Sequence, residues 1–265
     1  MDLIHGLLAV LCGGLVGFTL GLIGGGGSIL ATPLLLYVVG LAPHAAIGTG
    51  ALAVSVNAFA NFASHARAGN VRWKSAVLFA LVGVVGAAIG SAVGKSVDGR
   101  RLLFLFAILM VVVGVPMLRR GRRGGAPAGG TAEDEESANS IAKVIGAALA
   151  VGALSGFFGI GGGFLIVPGL LFSTGMPMIF AVGSSLLAVG SFGLTTAASY
   201  AASGLVNWTV AGEYVAGGIA GGLLGMMLAV RLATSRAALT RIFAIVIFVV
   251  AAYMLYRNAA TLGLG

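Results

Sequence analysis

Uncharged hydrogen-bond donors set within apolar runs are the groups in this chain best suited to bind a ligand. Asn57 and Asn61 lie four residues apart and therefore share one face of a helix. Two glycine clusters leave backbone N–H groups uncovered ahead of predicted helices, where the helix dipole favours an anion. The predicted substrate-binding residues are Gly24, Gly25, Gly26, Gly27, Ser28, Thr49, Asn57, Asn61, Gly161, Gly162, Gly163, Ser184, Ser185, Thr195 and Thr196.

Each of these features also has an ordinary structural explanation. Ser and Thr hydroxyls inside helices often bond to the carbonyl group four residues earlier. Glycines spaced by four, such as Gly13, Gly17 and Gly21, are typical of closely packed helices. The consecutive glycines at 24–27 differ, because each costs ~1 kcal/mol of helix propensity and a packed helix gains nothing from such a run. Glycine clusters of this kind therefore predict breaks between helices.

Groups for other kinds of chemistry are scarce in the sequence. No Asp, Glu, Lys or Arg lies inside a predicted membrane span, and no phosphate-binding Gly-Lys-Ser/Thr pattern occurs. Neither an enzymatic activity nor a cofactor or metal is expected. His5, His44 and His65 fall near segment ends, where an interfacial position is expected. His44, in the turn after Pro43, is the predicted proton-coupling residue.

The composition indicates an integral membrane protein. The 265 residues are 59% hydrophobic and 8% charged, whereas soluble domains carry about 25% charged residues. Apolar runs close to the ~20 residues that cross a bilayer recur along the chain. The net charge of +8 comes from basic residues that flank these runs, which is typical of topology signals and not of nucleic-acid binding. The predicted fold class is an all-α, polytopic transmembrane helical bundle.

The chain repeats itself at an offset of 135 residues, which pairs Pro33 with Pro168 and Trp73 with Trp208. Each half holds five apolar segments, at 3–23, 28–40, 45–65, 73–94 and 101–118, and at 141–158, 163–175, 180–202, 211–230 and 238–256. The predicted units are an N-terminal transmembrane repeat at 1–118, a polar cytoplasmic linker at 119–140 and a C-terminal transmembrane repeat at 141–265. Many transporters are internal duplications of this kind.

The short second segment of each half leaves two arrangements open. Segments 28–40 and 163–175 are too short to cross a ~30 Å bilayer core as a single α-helix. If they count as crossings, each half crosses five times and the halves are inverted, which collects most arginines and lysines on one side. If they are re-entrant, the halves are parallel and the charges divide more evenly. The charge distribution favours the inverted arrangement of five plus five segments.

These residues resemble the sulfite exporter TauE/SafE family of permeases. The resemblance covers the whole chain and is carried by Gly21–Ser28 with Pro33, by Ala46–Thr49, and by their copies Gly156–Gly163 with Pro168 and Ala181–Ser185. It implies export or uptake of a small sulfur-containing anion such as sulfite, thiosulfate or a sulfonate. It also implies coupling to an ion gradient. No motif selects one anion among these.

Taken together, the sequence predicts a secondary transporter of a small anion in the cell membrane, working by alternating access between its two repeats. A passive anion channel, or a transporter of a small non-sulfur carboxylate, would use the same donors and is the alternative. The predicted partners are the lipid bilayer, a small anionic substrate and a coupling ion, H⁺ or Na⁺. A homodimer is compatible with the sequence, and no nucleic-acid partner is expected.

Overall fold

Helices make up the described part of the chain, which contains no β-strand. The computed structural model describes residues 3–123, 138–159, 163–231 and 248–256. The first half contains α1 (Leu3–Ile23), a 3₁₀ segment (Gly24–Leu30), α2 (Ala31–Tyr37), α3 (Pro43–Arg67), α4 (Trp73–Ser96) and α5 (Gly99–Arg123). The second contains α6 (Ala138–Phe158), α7 (Gly163–Thr174), α8 (Met178–Ala201) and α9 (Trp208–Arg231), and residues 248–256 are also helical.

Six of the described helices, α1, α3, α4, α6, α8 and α9, are long and apolar enough to cross a bilayer. The predicted all-helical, polytopic membrane protein is therefore confirmed. Helix α5 runs to Arg123, past the predicted segment end at 118. Residues 124–137 of the predicted linker and residues 232–247 of the last segment lie outside the described residues. The division into two repeats and a linker stays a prediction.

Glycine stripes bring helices of the two halves into close contact. Helix α1 packs against α9, and α4 packs against α6. A Cβ atom on Gly17 would overlap the carbonyl of Gly218, and one on Gly152 would overlap the carbonyl of Gly83. Both members of the second contact are offset by 135 residues from their counterparts in the first. The same backbone contact is thus made twice, once by each half, as expected where small residues let membrane helices approach.

The order of these contacts gives the directions of the helices. Gly13, Gly17 and Gly21 of α1 meet Tyr214, Gly218 and Gly222 of α9 in rising order, so α1 and α9 are parallel. Helix α3 is parallel to both, because Asn57 meets Gly218 and Asn61 meets Gly222.

Helices α3 and α8, which occupy corresponding places in the two halves, run antiparallel. The backbone N–H of Arg72, beyond the end of α3, donates to Ser184 Oγ near the start of α8 at 2.9 Å. The N–H of Asn207, beyond the end of α8, donates to Thr49 Oγ1 near the start of α3 at the same distance. Between them, Ser55 Oγ donates to the Gly190 carbonyl at 2.6 Å, across a separation of 135 residues.

The parallel course of α1 and α3 requires the chain between them to return along the bundle. Gly27 lies against Thr19 and Leu20 of α1, and Thr32 lies near Gly50 in the first part of α3. Seven residues of 3₁₀ helix and seven of α-helix rise about 25 Å together. The broken segment is therefore longer than a single α-helix of the same residues, which accounts for its ability to cover this distance.

Candidate functional site

The two glycine clusters begin where the first helix of each half ends. Gly24 (φ +72°) follows α1 and Gly159 (φ +64°) follows α6, and both have a left-handed conformation that favours glycine. A Cβ on Gly24 would lie 2.8 Å from Val182 Cγ1 of α8, and one on Gly159 would overlap Ile47 of α3. Because α3 and α8 are antiparallel, the two breaks lie toward opposite ends of this helix pair.

The segments that follow the breaks meet in the interior, since the 3₁₀ segment packs against α7 and α8. Gly25 and Gly26 belong to the 3₁₀ segment, Gly27 lies against α1, and Ser28 is fully buried. An α-helix begins at Gly163, as predicted, but in the first half the 3₁₀ conformation continues to Leu30 before α2 begins. The predicted site residues Gly161 and Gly162 lie outside the described residues.

Four of the predicted hydroxyl groups make hydrogen bonds within the protein. Thr49 and Ser184 accept the inter-repeat hydrogen bonds from Asn207 and Arg72 described above. Ser185 Oγ donates to the Val182 carbonyl at 2.8 Å, and Thr195 Oγ1 donates to the Ser191 carbonyl at 2.8 Å. These bonds to the same helix are the ordinary use of a hydroxyl in a membrane span.

Asn57, Asn61 and Thr196 differ from these hydroxyls in their surroundings. Asn57 is fully buried against Gly218, and neither its amide nitrogen nor its amide oxygen has a hydrogen-bond partner among the described residues. Asn61, buried against Gly222, donates to the Asn57 carbonyl at 2.9 Å. Thr196 of α8 is fully buried, and its hydroxyl also lacks a described partner. Asn57 and Asn61 both face α9, as their spacing predicts.

The structure adds His65, which the sequence analysis placed at the interface. Its ring is fully buried beside the backbone of Gly21, and neither ring nitrogen makes a hydrogen bond of ordinary geometry with a described residue. His65 lies near a segment end, but its face of α3 is the one that α1 and α9 cover. We call Asn57, Asn61 and His65, which are spaced by four, the α3 stripe. That spacing was the available signal in the sequence.

The corresponding face of α8 is less polar. The positions offset by 135 residues from the α3 stripe are Phe192, Thr196 and Tyr200. Tyr200 is fully buried with an unpartnered hydroxyl, and its ring centre lies 6.2 Å from that of His44. His44 is half-buried at the start of α3, and its Nδ1 has no described partner. Its predicted role in proton coupling stays a prediction.

The chemistry of the α3 stripe follows from these observations. A buried polar group left without a hydrogen bond costs about 1–3 kcal/mol, so such groups inside a membrane protein indicate a ligand pathway. Amides and hydroxyls offer donors without a permanent charge. Among the described residues no group of three His, Cys, Asp or Glu side chains could hold a metal ion.

Comparison with known proteins identifies the family. A family model described as "Sulfite exporter TauE/SafE" matches residues 9–254. A "Probable membrane transporter protein" of Xylella fastidiosa (strain Temecula1 / ATCC 700964) is 56% identical over 251 residues, covering 94% of this chain and 95% of that protein. The "Probable membrane transporter protein YunE" of Bacillus subtilis (strain 168) is 29% identical over 222 residues, covering 77% and 81%. No solved structure matches.

These matches, with the six membrane-capable helices, confirm a multi-pass membrane transporter and not an enzyme. They extend over nearly the whole chain, so they include the glycine breaks and the α3 stripe. The chain belongs to the sulfite exporter TauE/SafE family.

Proposed function

We propose that the protein is a secondary transporter of a small sulfur-containing anion, such as sulfite, thiosulfate or a sulfonate, and that its two halves move it by alternating access. The observation that carries the proposal is the buried amide of Asn57, which has no partner for its donors or its acceptor. An anion that binds there would exchange its water shell for neutral donors. Such a site binds the anion without holding it too tightly to leave.

The substrate site in this proposal lies between the α3 stripe and the segments that follow the glycine breaks. Contact of the 3₁₀ segment with both α7 and α8 supports it, because this contact brings Gly25–Ser28 toward the helix that starts at Gly163. Thr196 adds a hydroxyl from α8. Thr49, Ser184, Ser185 and Thr195 then contribute by positioning helices, since their described hydrogen bonds are to the protein.

We further propose that the two halves have opposite orientations in the membrane. The antiparallel packing of α3 against α8 supports this arrangement, because these helices occupy corresponding places in the repeat. The parallel course of α1, α3 and α9 supports it as well. Helix α9 corresponds to α4, and α4 leaves α3 through a five-residue connection, 68–72. In alternating access the halves would rock about the contact between Ser55 and Gly190.

Labelling from the two sides of the membrane tests this orientation. Ala68 and Ser203 are exposed, follow α3 and α8, and are offset by 135 residues. In a Cys12→Ser background, which removes the single native cysteine, we expect Ala68→Cys and Ser203→Cys to react with an impermeant thiol reagent from opposite sides. Reaction of both from the same side would contradict the inverted arrangement and support parallel halves with re-entrant segments.

A flux panel in proteoliposomes tests the substrate. We expect saturable flux of sulfite, thiosulfate or sulfoacetate, at least about tenfold faster than for acetate or lactate at equal concentration, a preference worth about 1.4 kcal/mol. Empty liposomes and liposomes with heat-denatured protein are the controls. Saturable flux confined to the carboxylates would contradict the sulfur-anion assignment. Flux that rises linearly with concentration would instead favour the passive channel.

A further inference from the structure

We propose that His65 is the residue that binds the coupling proton, and that the transported anion, bound at Asn57 and Asn61, is the counter-charge of the protonated ring. This inference rests on the proposed function, because it assigns a coupling mechanism to the same site. It transfers the coupling role from His44, at the start of α3, to a buried residue within the α3 stripe.

The geometry separates His65 from the other histidines. His65 is fully buried at the junction of α1, α3 and α9, inside a helix that is long enough to span the membrane. Both ring nitrogens lack a described hydrogen bond of ordinary geometry. The ring lies beside Gly21, three residues before the break at Gly24. Residues four apart on a helix are about 5–6 Å apart at Cβ, which places the ring next to the Asn61 amide.

No described charged side chain compensates a proton on this ring. At this end of the bundle Arg67 is exposed, Arg72 stacks over Phe180 at 4.8 Å, and α9 ends at Arg231. The 3₁₀ segment has no titratable residue. The remaining titratable or charged groups of the elements that pack on α3 lie elsewhere: His5, Cys12, Tyr37, His44, Arg100, Arg101, Tyr200, Glu213 and Tyr214.

Contacts place several of these groups at the other end of the bundle. Glu213 lies beside Gly6 and Tyr214 beside Gly13, and Gly13 is about 12 Å along α1 from Gly21. His44 lies beside Gly99 at the start of α5 and stacks near Tyr200. His65 therefore faces amides, glycine backbone and apolar side chains, with no described carboxylate or cation in contact.

This isolation couples the proton to the anion. Imidazole is the side chain whose charge ordinarily changes near neutral pH. A proton on His65 would leave a buried, uncompensated positive charge, which is costly. An anion at the neighbouring amides supplies the missing negative charge, so that each ligand strengthens binding of the other by the same factor. Proton and anion then cross together, with His65 taking up one proton on one side and releasing it on the other.

The second half lacks an equivalent proton site. Tyr200 occupies the position of His65 in the repeat, and tyrosine does not change charge near neutral pH. A single site in a duplicated protein predicts that one proton is carried in each cycle. Tyr200 also shows that a buried aromatic ring with one polar atom fits this position of the fold.

Transport of thiosulfate by His65→Gln in proteoliposomes tests the inference, because thiosulfate stays ionised over the pH range used. In the wild type we expect an acidic exterior to drive thiosulfate inward. In His65→Gln we expect this gradient-driven uptake to fall at least about tenfold, while exchange of thiosulfate for thiosulfate at equal pH continues. His65→Tyr, which copies the second repeat, should behave in the same way and guards against a folding defect in the glutamine variant.

A binding experiment on the wild type makes the test independent of both variants. Thiosulfate added to the purified protein in weak buffer should cause uptake of about one proton per bound anion at most. Normal gradient-driven uptake in either folded variant, its loss in His44→Gln instead, or thiosulfate binding without proton uptake would overturn the assignment to His65 and leave the proposed function standing. Absence of any sulfur-anion flux in the wild type would overturn the proposed function itself.

Discussion

Gly17→Val is expected to remove most of the folded protein. The Cβ of any larger residue at this position would overlap the backbone carbonyl of Gly218, and backbone cannot move aside as a flexible side chain can. Helices α1 and α9 would have to separate along their length. Overpacking of a tight core usually costs 1–3 kcal/mol and sometimes more, so we expect a loss of about 3 kcal/mol or more at this backbone contact. The measurements are the monodisperse yield and the midpoint of thermal unfolding in detergent.

The repeat provides both a replicate and a control for this experiment. Gly152→Val makes the equivalent clash with Gly83 in the other half and should cause a loss of similar size. Gly212 lies on α9 with no atom near the position of a Cβ, so Gly212→Val should leave the yield unchanged. Stable, monodisperse Gly17→Val protein would show that α1 and α9 are not in backbone contact.

Asn57→Leu should have opposite effects on stability and on transport. Leucine has the same branching as asparagine, and it removes a buried amide that has no described hydrogen-bond partner. Relief of that cost should leave the protein as stable as the wild type or more stable by about 1 kcal/mol. The second half already accepts an apolar side chain here, since the corresponding residue is the fully buried Phe192.

Transport by Asn57→Leu should nevertheless fall at least about tenfold, because the anion would lose donors that replace its water shell. Initial rates of sulfur-anion uptake, normalised to folded protein, are the measurement. Ser91→Ala is the control, because this buried hydroxyl bonds to Ala88 of its own helix and lies outside the proposed site. Wild-type rates in Asn57→Leu would remove Asn57 from the substrate pathway.

Much of the architecture could be predicted from the pattern of apolar runs and glycines. The predicted segment 73–94 is α4, Trp73–Ser96, because a run of this length has no other way to satisfy its backbone in a membrane. The glycines at 13, 17 and 21 form the predicted packing surface. Their spacing states that a helix will approach closely, but it does not state which helix. The pairing of α1 with α9 depends on tertiary contacts between distant parts of the chain.

The candidate site was less accessible to sequence reasoning, for two physical reasons. A hydroxyl in a helix can bind a ligand, its own helix or a distant N–H group, and Thr49 makes the third choice with Asn207. Proximity to a segment end made His65 resemble an interfacial residue. Its burial depends on the neighbouring α1 and α9, which no local pattern reveals. The spacing of four between Asn57, Asn61 and His65 was visible, but its meaning required the structure.

Counterflow in proteoliposomes tests the proposed alternating-access transport of a small anion most directly. Vesicles loaded with unlabelled thiosulfate are diluted into a trace of labelled thiosulfate, with no pH gradient or membrane potential. A carrier whose site faces one side at a time exchanges internal anion for external label. The account predicts a transient accumulation of label above the external concentration, which is absent from empty liposomes. Equilibration of the label without such an overshoot, at a rate set by the protein, would contradict the account and indicate a passive channel.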